Sequence, residues 1–398
     1  MRNGIQHKVN GNYLLKYATR LLSLLPITTL FQGFSFLSPI NQVIVAASFV
    51  FLFILMFFAK YDRWQWFMLF AVGLLTVYNL SRTDLPFQNI NMPIYLIYWV
   101  VMLIVAGQNM VILSDLLTRD YLWYRKIIYI WNLVVLISIP FPSSYEKDGY
   151  FGSFSQNSFR LAPAALLIIL FLIICVQSDN EKNRYKYIIL SLVPLWSVFM
   201  GQSRTYLGIT LLLYCIFLRK ALAQKTTFVV LITLGLCIFP FALQVTGIGR
   251  KVAITTGTNQ YMDFWGTLTS GRSVFWSYDI LKYRHFSALD KLFGTNFNKI
   301  FEINGEIGPT IWAHNDFINI LVTNGIAGLL IYLIVYIWHL RQYVMFSRKK
   351  SNPRYIIFVM LGIWLINAFF NMVYTYTCAL IVVALLPAVI LNFRRKNV

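Results

Sequence analysis

The chain has 398 residues, of which 58% are hydrophobic and 12% charged, against about 25% charged in soluble domains. That balance excludes an ordinary soluble globular protein and points to a polytopic membrane protein, with room for about ten to thirteen spans of about 20 residues. The net charge of +20 does not imply nucleic acid: no basic and aromatic soluble module is present, and Lys and Arg collect in cytoplasmic loops because they resist translocation.

A basic N-terminus with Arg2, Lys8, Lys16 and Arg20 precedes a first candidate span, Leu21 to Leu37, which Pro26 and Gly33 interrupt. No small-residue cleavage pattern follows it clearly, so it reads as a retained span. Apolar runs follow at Ile40 to Ala59, Trp64 to Leu80, Ile94 to Leu113 and Ile127 to Phe141. A polar loop, Pro142 to Arg160, leads into the next run, Leu161 to Val176. The apolar region Tyr187 to Leu218 is too long for one ordinary span. A single helix there would hold Arg204 near the bilayer centre, at a cost on the order of several kcal/mol. A hairpin turning at Gly201 to Thr205 avoids that cost.

Thr226 to Gln244, Phe317 to His339, Tyr355 to Tyr374 and Thr377 to Leu391 complete about twelve spans. The expected fold is therefore an all-α polytopic membrane protein, one transmembrane domain over residues 1–398, with both termini cytoplasmic. Most of the 34 Lys and Arg fall on that side. One large extracytoplasmic loop, residues 246–313, separates the ninth run from the tenth. Cys175, Cys215, Cys237 and Cys378 all lie in apolar stretches and read as small core residues. No metal-ligand spacing, phosphate-binding glycine loop or dinucleotide fingerprint occurs, so no metal or cofactor is expected.

Within the loop, Arg272 to Tyr283 follows a rough helical period, with Ser270 as the expected N-cap. Arg272 then stands at the positive end of a helix, an unfavourable place for a cation unless an anion sits between it and the free N–H groups. A solvated arginine on a loop helix would give the same pattern. His314-Asn315-Asp316 opens a long apolar helix, broken at Asn324-Gly325. Capping explains Asn315 and Asp316; it does not explain His314, whose ordinary pKa suits proton transfer near neutral pH. Arg204 is either an interfacial anchor that reaches for headgroups or a site residue held at a span end. Arg250, Arg284 and their neighbours add positive potential that would attract an anionic ligand.

Three stretches carry a family resemblance. They are Gly201-Gln-Ser-Arg204-Thr before an apolar span; Thr269-Ser-Gly-Arg272 through Trp276, then Leu292-Phe-Gly294-Thr-Asn-Phe297; and His314-Asn-Asp through Asn324-Gly325 to Gly328. A fourth, Phe154-Ser-Gln-Asn157, is weaker. Together they resemble the O-antigen polymerase and O-antigen ligase superfamily, which includes the Wzy-type repeat-unit polymerases. The likeness covers roughly the second half of the chain; the first half matches only as spans.

The resemblance implies a GT-C-like membrane fold and a metal-independent glycosyltransferase of the cytoplasmic (inner) membrane. It implies undecaprenyl-pyrophosphate-linked glycans as substrates and a flippase and chain-length regulators as partners. Carried over by motif, Arg204 and Arg272 would grip the pyrophosphate and His314 would act on the acceptor hydroxyl. Asn157, Arg160, Arg250, Arg284 and Asn315 would line the substrate site. The Arg-x10-Gly spacing of some polymerases is absent, since Gly294 comes one residue too early after Arg284. The expected function is polymerisation of lipid-linked repeat units for capsule, exopolysaccharide or O-antigen. The alternatives are a ligase that transfers finished glycan to lipid A core or protein, and a lipid-linked oligosaccharide flippase.

Overall fold

The computed structural model describes residues 2–58, 61–147, 149–180, 183–222, 269, 271–348 and 355–391. The ninth run, Thr226 to Gln244, and Arg250 lie outside these residues, as does Ser270; for Arg204 the backbone alone is described. Among the described residues the chain is all-α, with no strand beyond one isolated bridge between Tyr145 and Phe151.

The helices are α1 (Arg2–Leu22), α2 (Leu25–Leu30), α3 (Ser38–Phe58), α4 (Arg63–Ser81), α5 (Met92–Gln108), α6 (Met110–Arg119), α7 (Tyr121–Ser138) and α8 (Ser158–Ser178). There follow α9 (Arg184–Met200), α10 (Arg204–Ala221), α11 (Arg272–Arg284), α12 (Ala288–Phe293), α13 (Lys299–Ile307), α14 (Asp316–Arg348), α15 (Tyr355–Phe370) and α16 (Thr377–Leu391).

The core forms around α8 and α16. Every residue from Leu161 to Val176 and from Cys378 to Leu391 is buried. Helix α8 packs against α2, α7, α9, α10 and α16, and α16 also packs against α5 and α6. Both helices are apolar all round, which a helix tolerates only when other helices surround it. The outer helices show the reverse pattern. Val43 and Phe57 on α3, Phe67, Phe70 and Val77 on α4, Leu133 on α7, and Ile337 on α14 are large, apolar and exposed. An exposed apolar belt of this kind is a surface that lipid, not water, would cover.

Three helices are long and apolar enough to cross a membrane: Ser38–Phe57, Ser158–Ser178 and Asp316–Ser347. The pair α5 and α6 makes a fourth if counted together. The chain is a membrane protein by this measure. Two expected spans take another form. The run Leu21 to Leu37 does not make one helix: α1 stops at Leu22, Pro26 opens the six-residue α2, and turns follow from Phe31. Six helical residues reach about 9 Å, far short of a bilayer. The run Ile94 to Leu113 bends by 82° between α5 and α6. Asn109 stands at the bend, and its side chain donates to the Val105 carbonyl at 2.9 Å and to the Tyr61 hydroxyl at 3.3 Å. The region Tyr187 to Leu218 does form two helices, α9 and α10, with Gln202 left-handed at the turn (φ 52°).

Helices α11 to α13 build a small lobe with its own cluster, in which Trp276, Phe297, Ile300 and Phe301 pack with Met92 and Val322. The lobe is tied to the α4–α5 connection. Arg82 pairs with Asp290 at 2.6 Å and donates to the Gly294 carbonyl at 3.1 Å. Asn298 donates to the Asp84 carbonyl at 2.8 Å. Long α14 is interrupted at Gly325, which is left-handed at φ 67°. The interruption frees the Val322 carbonyl, and Thr295 Oγ1 donates to it at 3.0 Å.

Candidate functional site

Four helices begin around one turn, the segment from Phe370 to Tyr376 between α15 and α16. Thr205, in the first turn of α10, donates to the Phe370 carbonyl at 3.5 Å. Arg272, the first residue of α11, donates to the same carbonyl from Nη1 at 2.5 Å. Val373 N donates to Asp316 Oδ2, on the first residue of α14, at 3.0 Å. The N-terminus of α8 joins them through the hairpin tip, because a Cβ on Gly201 would lie 3.3 Å from Ser158 Cβ.

Each helix start presents roughly half a positive charge and unsatisfied N–H groups to this space. Arg160, Arg204 and Arg272 stand in the first turns of three of the four. Converging helix starts with the Arg272 guanidinium among them are chemically suited to an anion.

Arg272 follows Gly271, the left-handed N-cap at φ 81°, and Thr269 Oγ1 accepts from Ser273 N at 3.0 Å. Trp276, one turn later, donates to the Ala313 carbonyl at 2.6 Å. That bond holds the residue before His314, so α11 positions both Arg272 and the approach to His314. His314 is itself left-handed at φ 52°, an uncommon state for a non-glycine residue and a feature of functional sites. Its Nδ1 is buried without a hydrogen-bond partner among the described residues. Burial, then the Arg272 guanidinium, holds its pKa down at about 3, with Asn371 opposing. His314 is therefore neutral at pH 7 and able to accept a proton.

The residues after His314 divide their work. Asn315 Oδ1 accepts from Phe317 N at 3.0 Å and Ile318 N at 3.2 Å, so it caps α14. Asp316 does not cap. It turns inward, where Oδ2 accepts from the Tyr332 hydroxyl at 2.7 Å as well as from Val373 N. Asn315 is buried. Its replacement by alanine removes the cap and lowers stability by about 1 kcal/mol; Asn315→Asp retains most of it. Thermal unfolding of the two variants checks this.

Asn157 accepts from Arg160 N at 3.2 Å and caps α8, beside Glu146, which accepts from Ser158 N. The Arg160 side chain is exposed on the first turn. Arg284 is not brought to this space. It ends α11, about 18 Å along the axis from Arg272, where a cation favours the helix dipole. The turn itself, Asn371-Met-Val-Tyr-Thr-Tyr376, carries no functional signal in sequence, where it reads as a bare connector between two apolar runs. Among the described residues no group of three His, Cys, Asp or Glu is arranged to hold a metal ion.

No family model matches the chain, and no curated protein matches it significantly.

Asp279 lies on α11, in the second turn after Arg272. It is fully buried, both carboxylate oxygens lack hydrogen-bond partners among the described residues, and burial raises its pKa to about 7. The folded state therefore binds a proton that the unfolded chain has lost, from about pH 4 to about pH 7. The stability this group supplies is present at the acid end of that window and is lost as pH rises through it. Asp279→Asn should remove this dependence and exceed the wild type above pH 7 by roughly 2–4 kcal/mol. The check is the difference in unfolding temperature between the two proteins, measured from pH 4 to 8; a constant difference would contradict it.

Proposed function

We propose that the chain is a polymerase of undecaprenyl-pyrophosphate-linked oligosaccharide repeat units at the outer face of the cytoplasmic membrane. Its product would be capsule, exopolysaccharide or O-antigen. The architecture we propose has about twelve spans, some short or bent, with cytoplasmic termini and the 246–313 loop outside. One observation carries the reading: Arg272 and the first turn of α10 meet at the Phe370 carbonyl, and neutral His314 is close enough to feel the Arg272 charge.

In this reaction the acceptor hydroxyl oxygen forms a new bond to the donor sugar's anomeric carbon. The bond from that carbon to the pyrophosphate breaks, and the carrier leaves with the electron pair. Arg272, with Arg204, stabilises the charge that builds on the departing pyrophosphate. His314 Nε2 or Nδ1 takes the hydroxyl proton. At a pKa of about 3 the free imidazole is a weak base. A pyrophosphate beside Arg272 offsets the guanidinium's charge and raises the histidine's basicity, so the base strengthens when substrate is in place.

The test is purified protein with lipid-linked repeat units. Polymerisation yields longer lipid-linked chains; a flippase leaves chain length unchanged. In cells, loss of a polymerase leaves single-unit glycan on the surface, whereas loss of a ligase strands long chains on the carrier.

A further inference from the structure

Asp316, the first residue of α14, is fully buried, and its carboxylate joins segments far apart in sequence. Oδ2 accepts from the Tyr332 hydroxyl at 2.7 Å and from Val373 N at 3.0 Å. Three contacts hold Tyr332 in turn. Trp364 of α15 donates to its hydroxyl at 3.0 Å, and Trp99 of α5 donates to its carbonyl at 3.2 Å. The Trp99 ring also stacks on the Tyr332 ring, at 4.4 Å between centroids. The carboxylate is therefore set against a fixed partner on one side and the turn after α15 on the other.

That turn carries the carbonyl on which Arg272 is fixed. Phe370 ends α15, and carbonyls in a last helical turn lack donors within the helix. The Phe370 carbonyl accepts from Arg272 Nη1 and Thr205 Oγ1 instead. Val373, held by Asp316, comes three residues later. Asn319, one turn along α14 from Asp316, donates to the Tyr374 hydroxyl at 2.9 Å and ties the same two segments again. A buried network of this kind resists distortion, because breaking one member leaves a buried polar group unpaired.

We infer that Asp316 is a positioning residue, acting through Val373 and the Phe370 carbonyl to set the direction of the Arg272 guanidinium. The inference rests on the polymerase reading for the identity of the anion, a pyrophosphate. Asp316 itself touches no substrate. It stands two residues after His314, so one short stretch carries the base and anchors the cation beside which the base works.

The experiment measures binding of farnesyl pyrophosphate to purified full-length protein in nanodiscs, below the unfolding temperature of each variant. Asp316→Ala frees the turn and should weaken binding about tenfold, because a misdirected guanidinium loses its charge-assisted contact. Asp316→Asn should stay within about twofold of the wild type. Its amide oxygen accepts both bonds, and its amide nitrogen replaces Oδ1, which has no hydrogen-bond partner among the described residues. Combined with Arg272→Ala, Asp316→Ala should cost nothing further, since the direction of an absent guanidinium no longer matters. A role in stability alone would lower the unfolding temperature without this non-additivity. Losses that multiply, wild-type affinity in Asp316→Ala, or equal losses in the alanine and asparagine variants each overturn the assignment. Should Asp316→Ala fail to fold, Tyr332→Phe takes its place, with about a threefold loss expected and none on top of Arg272→Ala; no loss from it overturns the assignment as well. If the binding results hold but the protein does not lengthen lipid-linked units, the polymerase reading falls and the Asp316 role stands. If the wild type does not bind the probe, both fall.

Discussion

Arg272→Ala should abolish long polymer and leave single-unit glycan, with the protein still present in the membrane. The expected loss in transfer rate is about 10²–10³-fold, the cost of removing one preorganised donor from a developing oxyanion. Arg272→Lys should restore little, because an ammonium cannot reproduce the planar fork that grips a carbonyl and a phosphate together. Arg272 Nη1 already donates to Phe370 O, which fixes the guanidinium before substrate arrives. The substitution also has a second signature. Arg272 helps hold His314 at a pKa of about 3, so its removal should raise the histidine and move the acid limb of the residual pH profile upward. In vitro chain-length ladders across pH measure both effects. Normal polymer from Arg272→Ala and His314→Ala would sink the site reading.

The other large effect is expected at Gly325. Its left-handed backbone breaks α14 where the loop from Leu292 to Phe297 docks. A Cβ at Gly325 would lie 2.5 Å from Gly294 N and Leu292 O, both backbone atoms that cannot swing aside. Gly294, left-handed at φ 87°, faces it: a Cβ there would meet Thr323 O at 2.1 Å. Gly325→Ala therefore combines an unfavourable backbone state with a steric clash. A loss of roughly 3–5 kcal/mol follows. Gly73→Ala is the control, since an added methyl there meets nothing within 4 Å. Thermal unfolding and protease sensitivity of the α11–α13 lobe separate the two variants. Detachment of the lobe would also displace Trp276 from the Ala313 carbonyl and slacken His314, so activity should fall with stability.

Much of this was legible along the chain. Hydropathy marked the apolar runs, and the price of burying Arg204 predicted the α9–α10 hairpin. The Asn324-Gly325 pair marked the interruption in α14. Asn315 is the cap its position suggested. Other features were opaque for identifiable reasons. Pro26 and Gly33 marked the first run as interrupted, but not that only six residues of it would form α2; the 82° bend at Asn109 lies inside a continuous apolar stretch, and hydropathy records lipid compatibility, not helix direction. Asp316 looked like a second cap, yet its carboxylate faces Tyr332, sixteen residues on.

Arg204, Arg272 and His314 were recognisable singly, by residue type and by their places at helix starts. The turn on which the starts of α10, α11 and α14 converge was not. It offers a backbone carbonyl at Phe370 to Thr205 and Arg272 and a backbone amide at Val373 to Asp316. Sequence determined the all-α membrane class and the helix boundaries around the arginines, because hydrophobic periodicity, turn chemistry and charge placement act over a few residues. Tertiary structure decided which helix starts share one space and separated Arg284 from Arg272, because main-chain hydrogen bonds between distant segments carry no side-chain signature.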